Sequence, residues 1–193
     1  PSSKLLYDFK LLPNVSYALS IKFSSSGLWK VITGLPAKHA SKYADKIITI
    51  SNSTKNDLIK YLNTPEEKIS VIYCGVSDMI RQINDQQLLL SIKNRYRLPD
   101  KYFLYVGTLQ PRKNIQGLIK AYHLLKMRKV NVTHKLVLVG RKGWLYDEIF
   151  SEVKKLGITD DVLFTGSISD YDELSSIYTL ADAVVYPSFY EGF

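Results

Sequence analysis

From residue 44 onward, short apolar runs alternate with longer amphipathic stretches. Lys46-Ile47-Ile48-Thr49-Ile50 is rich in β-branched residues and predicts a buried strand. Ser51-Asn52-Ser53 offers N-caps to a helix with apolar positions Leu58, Ile59 and Leu62, which Thr64-Pro65 ends. Ile69–Tyr73 predicts the next strand, and Gly75 turns the chain out of it. This strand, helix, strand spacing suits a parallel crossover. Residues 78–100 carry no strand pattern and hold an amphipathic helix around Leu88–Ile92 that stops near Leu98-Pro99. A new unit then begins. Tyr102–Val106 predicts a strand and Gly107–Lys113 a loop. Asn114 is the expected cap of a helix whose apolar face is Ile115, Leu118, Ile119, Tyr122 and Leu125. Lys135–Val139 predicts a strand followed by Gly140, and Leu145–Leu156 a helix ended by Gly157 at a C-cap position. Val162–Thr165 is the next expected strand. Asp170, with Glu173 three residues later, predicts a capping box for a helix carrying Leu174, Ile177 and Tyr178. Ala183–Tyr186 is the last expected strand.

Strands and helices alternating at this spacing predict an α/β fold with doubly wound, Rossmann-like parallel sheets. The chain reads as two α/β domains, residues 1–77 and 78–193, joined near residues 76–85. The first is expected to be truncated at its start and the second at its end. Residues 1–40 carry the weakest pattern. They show a loop at Ser24-Ser25-Ser26-Gly27 and a helix opening at Leu28–Ile32 and running through Ala40.

Composition narrows the class. A hydrophobic content of 46% with 23% charged residues is that of an ordinary globular protein. Twenty-six Lys and Arg against 18 Asp and Glu leave a net charge of +8, which favours anionic partners without choosing among them. A single cysteine, Cys74, leaves no intrachain disulfide and suits a reducing compartment. No apolar run reaches membrane-spanning length and no signal peptide opens the chain.

In parallel α/β sheets, ligands sit beyond the carboxyl ends of the strands. Four such ends are readable in the second unit. They carry Gly107-Thr108 with Arg112-Lys113, Gly140 with Lys142, Gly166 with Ile168, and Ser188 with Glu191-Gly192. All are expected to open on one edge, joining cations, one acid and glycines that admit close backbone approach. Arg can fork onto phosphate oxygens while Lys acts as a point charge. Arg112-Lys113 can also be a solvated pair at a helix start, although the helix dipole disfavours cations there. Glu191 beside Gly192 can be a solvated turn, since an acid next to glycine is common in turns. The glycine spacing of a dinucleotide fingerprint is absent from Gly107-Thr108-Leu109-Gln110. Asp170-Tyr171-Asp172 has the spacing of a metal-binding acid pair, but its place before Leu174 favours a helix cap. His39, His123 and His134 are isolated in sequence, so no metal cluster and no Ser-His-Asp arrangement is indicated. Nucleic-acid binding rests on net charge alone.

Five stretches together resemble one family. They are YVGTLQPRKN (105–114), LVLVGRKGW (136–144), VLFTGSISDYDELSSIYTLADAVVYPSFYEGF (162–193), ADKIITISNSTKNDLIKYL (44–62) and ISVIYCGV (69–76). In order and content they resemble the retaining glycosyltransferases of family 4, also called group 1, which have the GT-B fold. The resemblance covers roughly residues 44–193. It implies part of an acceptor-side domain followed by most of the nucleotide-sugar domain. The implied enzyme moves a sugar from a nucleoside diphosphate sugar to an acceptor hydroxyl with retention, without metal or other cofactor. The implied acceptor is a glycan or a lipid-linked sugar. The implied location is cytoplasmic, possible also at the inner membrane face as a peripheral protein, with no nucleic-acid partner.

Residue by residue, Arg112 and Lys113 match the family's basic pair on the donor diphosphate, and Gly107 the glycine that lets the loop approach it. Gly166 and Ile168 match the segment that meets the nucleobase through its backbone. Glu191 matches the first acid of a paired-glutamate motif that contacts the donor sugar, and is the expected catalytic residue. Gly192 and Phe193 match the turn that approaches the donor. Thr108, Gly140, Lys142 and Ser188 complete the expected donor-binding set. The sequence also departs from the pattern. Some members carry Arg where Thr108 stands, and the common Asn-Gly-Val-Asp is here Cys74-Gly75-Val76-Ser77. The place of the motif's second Glu, about eight positions on, falls beyond Phe193, and the family's glycine-rich loop and active-site His have no match in residues 1–43. A non-catalytic binding module and a nucleotide-sugar epimerase of the same fold are the competing readings.

Overall fold

The computed structural model describes residues 37–128, 131–143 and 146–192. The helix expected from Leu28 lies outside these residues except for its end, where residues 37–43 are helical. The chain divides into two compact units. One ends at Gly75 and takes in Glu191 and Gly192; the other is Val76–Tyr190.

In the first unit, β1 (Ile47–Thr49) and β2 (Ile69–Val71) pair in parallel, with Ile47 opposite Ile69. Helix α1 (Asn52–Leu62) crosses between them. Ser51 caps it as the sequence predicts, its side chain accepting from the Thr54 amide. Asn63 ends it in the left-handed conformation, at φ 51°. Ala37, Ala44, Ile47, Leu58 and Ile69 form the core of this unit.

In the second unit, helix α2 (Gln86–Tyr96) precedes four parallel strands: β3 (Tyr102–Val106), β4 (Lys135–Val139), β5 (Val162–Gly166) and β6 (Ala183–Val184). Helices α3 (Ile115–Met127), α4 (Tyr146–Lys155) and α5 (Tyr171–Leu180) connect them. The sheet order is β5-β4-β3-β6, and every pairing is parallel. All four expected strands therefore lie in one sheet, with their carboxyl ends on one edge.

The period-2 alternation of the strands explains why helices cover both faces. Tyr105, Leu136 and Leu138 pack against Ile115, Leu118, Ile119 and Tyr122 of α3 and Ile149 and Val153 of α4. The opposite face carries Tyr102, Leu104, Val137 and Val139, which pack with Ile92 of α2 and Ile177 of α5. Full burial of one such aliphatic side chain stabilises the fold by about 1.5–3 kcal/mol.

Several strands are shorter than their apolar runs. Ala183–Tyr186 yields only Ala183–Val184 as strand. This edge strand pairs with β3 alone, and after Val185 donates to the Leu104 carbonyl the chain turns away. The Tyr186 ring then rests 5.7 Å from that of Tyr105. The run Lys46–Ile50 gives β1 over Ile47–Thr49, and Ile69–Tyr73 gives β2 over Ile69–Val71, where pairing between the two strands stops.

Two caps differ from expectation. Asn114 precedes α3 but makes no side-chain cap, because it is itself left-handed at φ 55°. Its side chain lies over the first turn instead, where a Cβ on Gly117 would overlap its amide oxygen. At α5, Asp170 accepts from the Glu173 amide at 2.9 Å, which is half of a capping box. The other half is absent because the Glu173 carboxylate is taken by Arg95 and by the Tyr96 hydroxyl of α2. The segment entering the second unit is fastened to the same helix. Ser175 Oγ accepts from the Arg81 amide and Thr179 Oγ1 from the Ile83 amide.

Candidate functional site at the carboxyl edge of the sheet

The edge begins with two glycines that pack backbone against backbone. The Gly107 amide donates to the Val139 carbonyl at 2.8 Å, and the Gly140 amide to the Gly166 carbonyl at 2.9 Å. A Cβ on Gly140 would overlap the Gly107 carbonyl oxygen and lie 2.7 Å from its carbon. The close approach to Gly107 requires glycine at 140. The two loops stay paired beyond the sheet. Leu109 donates to the Arg141 carbonyl and Gly143 to the Leu109 carbonyl, forming an isolated parallel bridge between Leu109 and Lys142. Thus Gly107, Gly140 and Gly166 stand side by side at three adjacent strand ends.

Beyond Gly107, the chain passes Thr108 and enters a short 3-10 turn, Pro111–Lys113, that delivers Arg112 and Lys113 to the start of α3. No acidic residue occupies the first turn of that helix. Two cations therefore stand at the positive end of a helix dipole, an arrangement that an anionic ligand stabilises. The turn is tied to the segment after β6 at three points. Arg112 Nη1 donates to the Tyr190 carbonyl at 2.6 Å, the Phe189 amide donates to the Arg112 carbonyl at 3.1 Å, and Asn114 Nδ2 donates to the Pro187 carbonyl at 3.1 Å. Ser188 lies within this tied segment, and its hydroxyl is buried without a hydrogen-bond partner among the described residues.

Lys142 is exposed, with its ammonium 4.8 Å from the centre of the Tyr146 ring. Its neighbour Arg141 reaches the other way, placing Nε 3.4 Å from Thr108 Oγ1. Gly166 is left-handed at φ 80°, with open space where a side chain would stand. The Ile168 side chain packs on the α2 and α5 side of the core, leaving its backbone at the edge.

Glu191 and Gly192 belong to the first unit. The Gly192 carbonyl accepts from Ser51 Oγ at 2.6 Å and from Thr54 Oγ1 at 2.8 Å, at the start of α1. A Cβ on Gly192 would meet only ordinary contacts, at 3.7 Å from Ile50 and Thr54. Glu191 is half-buried, and Phe193 lies outside the described residues. Asp170 is the helix cap, and Asp172 pairs with Arg81 at 2.7 Å. Among the described residues no His, Cys, Asp and Glu gather as a metal site, and no helix is long and apolar enough to cross a membrane.

Sequence reasoning missed Asn114 as the tie to Pro187 and Arg141 beside Thr108; in the first unit it missed Ser51 and Thr54 as the seat of Gly192. The paired extension of two strands could have suggested Arg141. No local pattern links Ser51 to Gly192, 141 residues away.

Comparison with known proteins agrees with this geometry. Residues 89–193 match the family described as glycosyl transferases group 1, and residues 18–78 match glycosyltransferase family 4. The chain is 35% identical over 153 residues to O-antigen chain mannosyltransferase B of Escherichia coli, covering 78% of this chain and 39% of that protein. It is 32% identical over 175 residues to an O-antigen chain mannosyltransferase of Salmonella typhimurium, covering 89% of this chain and 43% of that protein. It thus spans about two fifths of the length of these two relatives. Among solved structures, sucrose-phosphate synthase from Thermosynechococcus elongatus superposes with a TM-score of 0.70 at 24% identity, over 88% of this chain and 42% of that one. The two parallel α/β units are those of the GT-B fold, and the chain belongs to the group 1 glycosyltransferases.

Proposed function

We propose that the chain is the donor-binding part of a glycosyltransferase that moves a sugar from a nucleoside diphosphate sugar to an acceptor hydroxyl, with retention and without a metal. The observation that carries the reading is the pair Arg112-Lys113 at the positive end of α3, on the sheet edge where Gly107 and Gly140 bring backbone close. Breaking the bond between sugar and diphosphate leaves negative charge on the leaving phosphate. Fixed cations at that point stabilise the transition state more than the ground state. They supply the charge that a divalent ion would otherwise provide.

Lys113 acts as a point charge on the diphosphate. Arg112 serves in part through Tyr190, holding the strand-end segment in place. Gly107 and Thr108 form the wall beside the phosphates, with Gly140 and Lys142 on the neighbouring loop. Gly166 and the Ile168 backbone meet the nucleobase. Ser188 belongs to the donor-binding set through the tied segment that holds it, and the Gly192-Phe193 turn approaches the donor through its backbone. Glu191 accepts sugar hydroxyls and favours positive charge at the anomeric carbon. The named activity of the two relatives makes a mannosyl donor the first to test, with a glycan or lipid-linked acceptor. A place at the inner face of the membrane suits such an acceptor.

The test is transfer by the full-length enzyme from isotopically labelled nucleoside diphosphate mannose, with the product read by NMR. An axial anomeric bond retained from an axial donor, formed equally in EDTA, is expected. Inverted product, or loss of transfer in EDTA, would overturn those parts of the reading.

A further inference from the structure

We infer that Arg141 is a further donor-binding residue and that it contacts the phosphate nearest the ribose; the inference rests on the donor site proposed above. Past the ends of β3 and β4, the two chains continue as a paired extension, with Leu109 bridging Lys142. Side chains alternate along such a pair. Leu109 and Lys142 share one side, where Leu109 is 2% exposed and Lys142 runs back over the Tyr146 ring. Thr108 and Arg141 take the opposite side. There the Arg141 guanidinium rests through Nε on Thr108 Oγ1, and its two terminal nitrogens make no hydrogen bond or ion pair among the described residues. Three backbone contacts steady the loop beneath it: Gly107 to Val139, Leu109 to Arg141 and Gly143 to Leu109.

The sheet order then assigns the partner. Strand β4 stands between β5 and β3. With the nucleobase at Gly166–Ile168 beyond β5 and the outer phosphate at the Gly107–Lys113 loop beyond β3, the donor crosses the end of β4. Two strand spacings, about 10 Å, separate those ends. The ribose and inner phosphate fill that distance. A guanidinium there meets phosphate oxygens with two parallel donors, which a lysine cannot copy.

The experiment uses the full-length enzyme and calorimetry or ligand-observed NMR. The probes are the nucleoside diphosphate it binds most tightly among UDP, GDP and ADP, the matching monophosphate, and the nucleoside. Arg141→Ala is expected to weaken both the monophosphate and the diphosphate at least fivefold and to leave the nucleoside unchanged. Arg141→Lys is expected to recover part of the loss. Lys113→Ala is expected to weaken the diphosphate alone. If Arg141→Ala changes neither phosphate while Lys113→Ala weakens the diphosphate, the inference falls and the donor site stands. If neither variant changes the diphosphate, the donor site falls too. Loss confined to the diphosphate in Arg141→Ala removes the inner-phosphate assignment. Equal loss for the nucleoside makes Arg141 merely structural and overturns the inference.

Discussion

Arg112 donates from Nη1 to the carbonyl oxygen of Tyr190 at 2.6 Å, so a side chain read from sequence as a phosphate ligand also fastens the segment before Glu191. The two cations of the turn should therefore behave differently. Arg112→Ala removes a charged hydrogen bond, worth about 1.5–3 kcal/mol, and is expected to loosen the segment 187–190. Faster amide hydrogen exchange at Phe189 in Arg112→Ala, with wild-type exchange in Lys113→Ala, is the expected pattern. Equal exchange in both would deny Arg112 this role.

Gly140 should be the least replaceable glycine of the edge. Its Cβ would overlap the Gly107 carbonyl, a backbone atom that cannot swing aside. Gly140→Ala is expected to cost more than about 3 kcal/mol, at or beyond the upper range for overpacking. Gly157→Ala, left-handed at φ 67° but in open space, should cost about 1–2 kcal/mol. Urea denaturation of both variants checks the ranking; similar losses would contradict it.

The fold was readable because the strands of the second unit are apolar on both faces and their helices are amphipathic. The parallel sheet, its four strands and the shared edge follow from that pattern alone. The strand ends were less readable. Val185 and Tyr186 look like strand, yet an edge strand with one partner ends where pairing stops. The capping box at Asp170 was half right, because Arg95 and Tyr96 on another helix compete for Glu173. The position of Gly107, Arg112 and Lys113 at the carboxyl edge was legible from their place after a strand. Lys142 and Arg141 were not distinguishable, since only the bridge between Leu109 and Lys142 shows which of the two shares the side of Leu109.

Alkaline pH should unfold the chain through its buried tyrosines. Burial, aided by Asp161, pushes Tyr122 up from 10.0 to about 12. Burial raises Tyr102 further, with help from Asp182, and raises Tyr178, with help from its hydrogen bond to Tyr186. A raised folded pKa gives stability that is fully present below about pH 10 and is lost as the pH rises through the folded value. These three should ionise well above pH 10 in a spectrophotometric titration, with unfolding as they do so. Reversible ionisation of all tyrosines near pH 10 with the fold intact would contradict this.

Glu191 should matter for turnover more than for affinity. Help that grows in the transition state appears in kcat. In the full-length enzyme, Glu191→Gln is expected to lower kcat at least about tenfold, roughly 1.4 kcal/mol, while nucleoside diphosphate affinity stays near wild type. Normal turnover would return Glu191 to the class of solvated turn acids.

The central claim is that the donor diphosphate binds at the carboxyl edge of the four-stranded sheet, on the loop that ends in Lys113. Calorimetric titration of the full-length enzyme and its Lys113→Ala variant with nucleoside diphosphate tests it most directly. A loss of about 1.5–3 kcal/mol, the scale of a charged hydrogen bond, is the predicted result, and unchanged affinity in a folded variant would contradict the account.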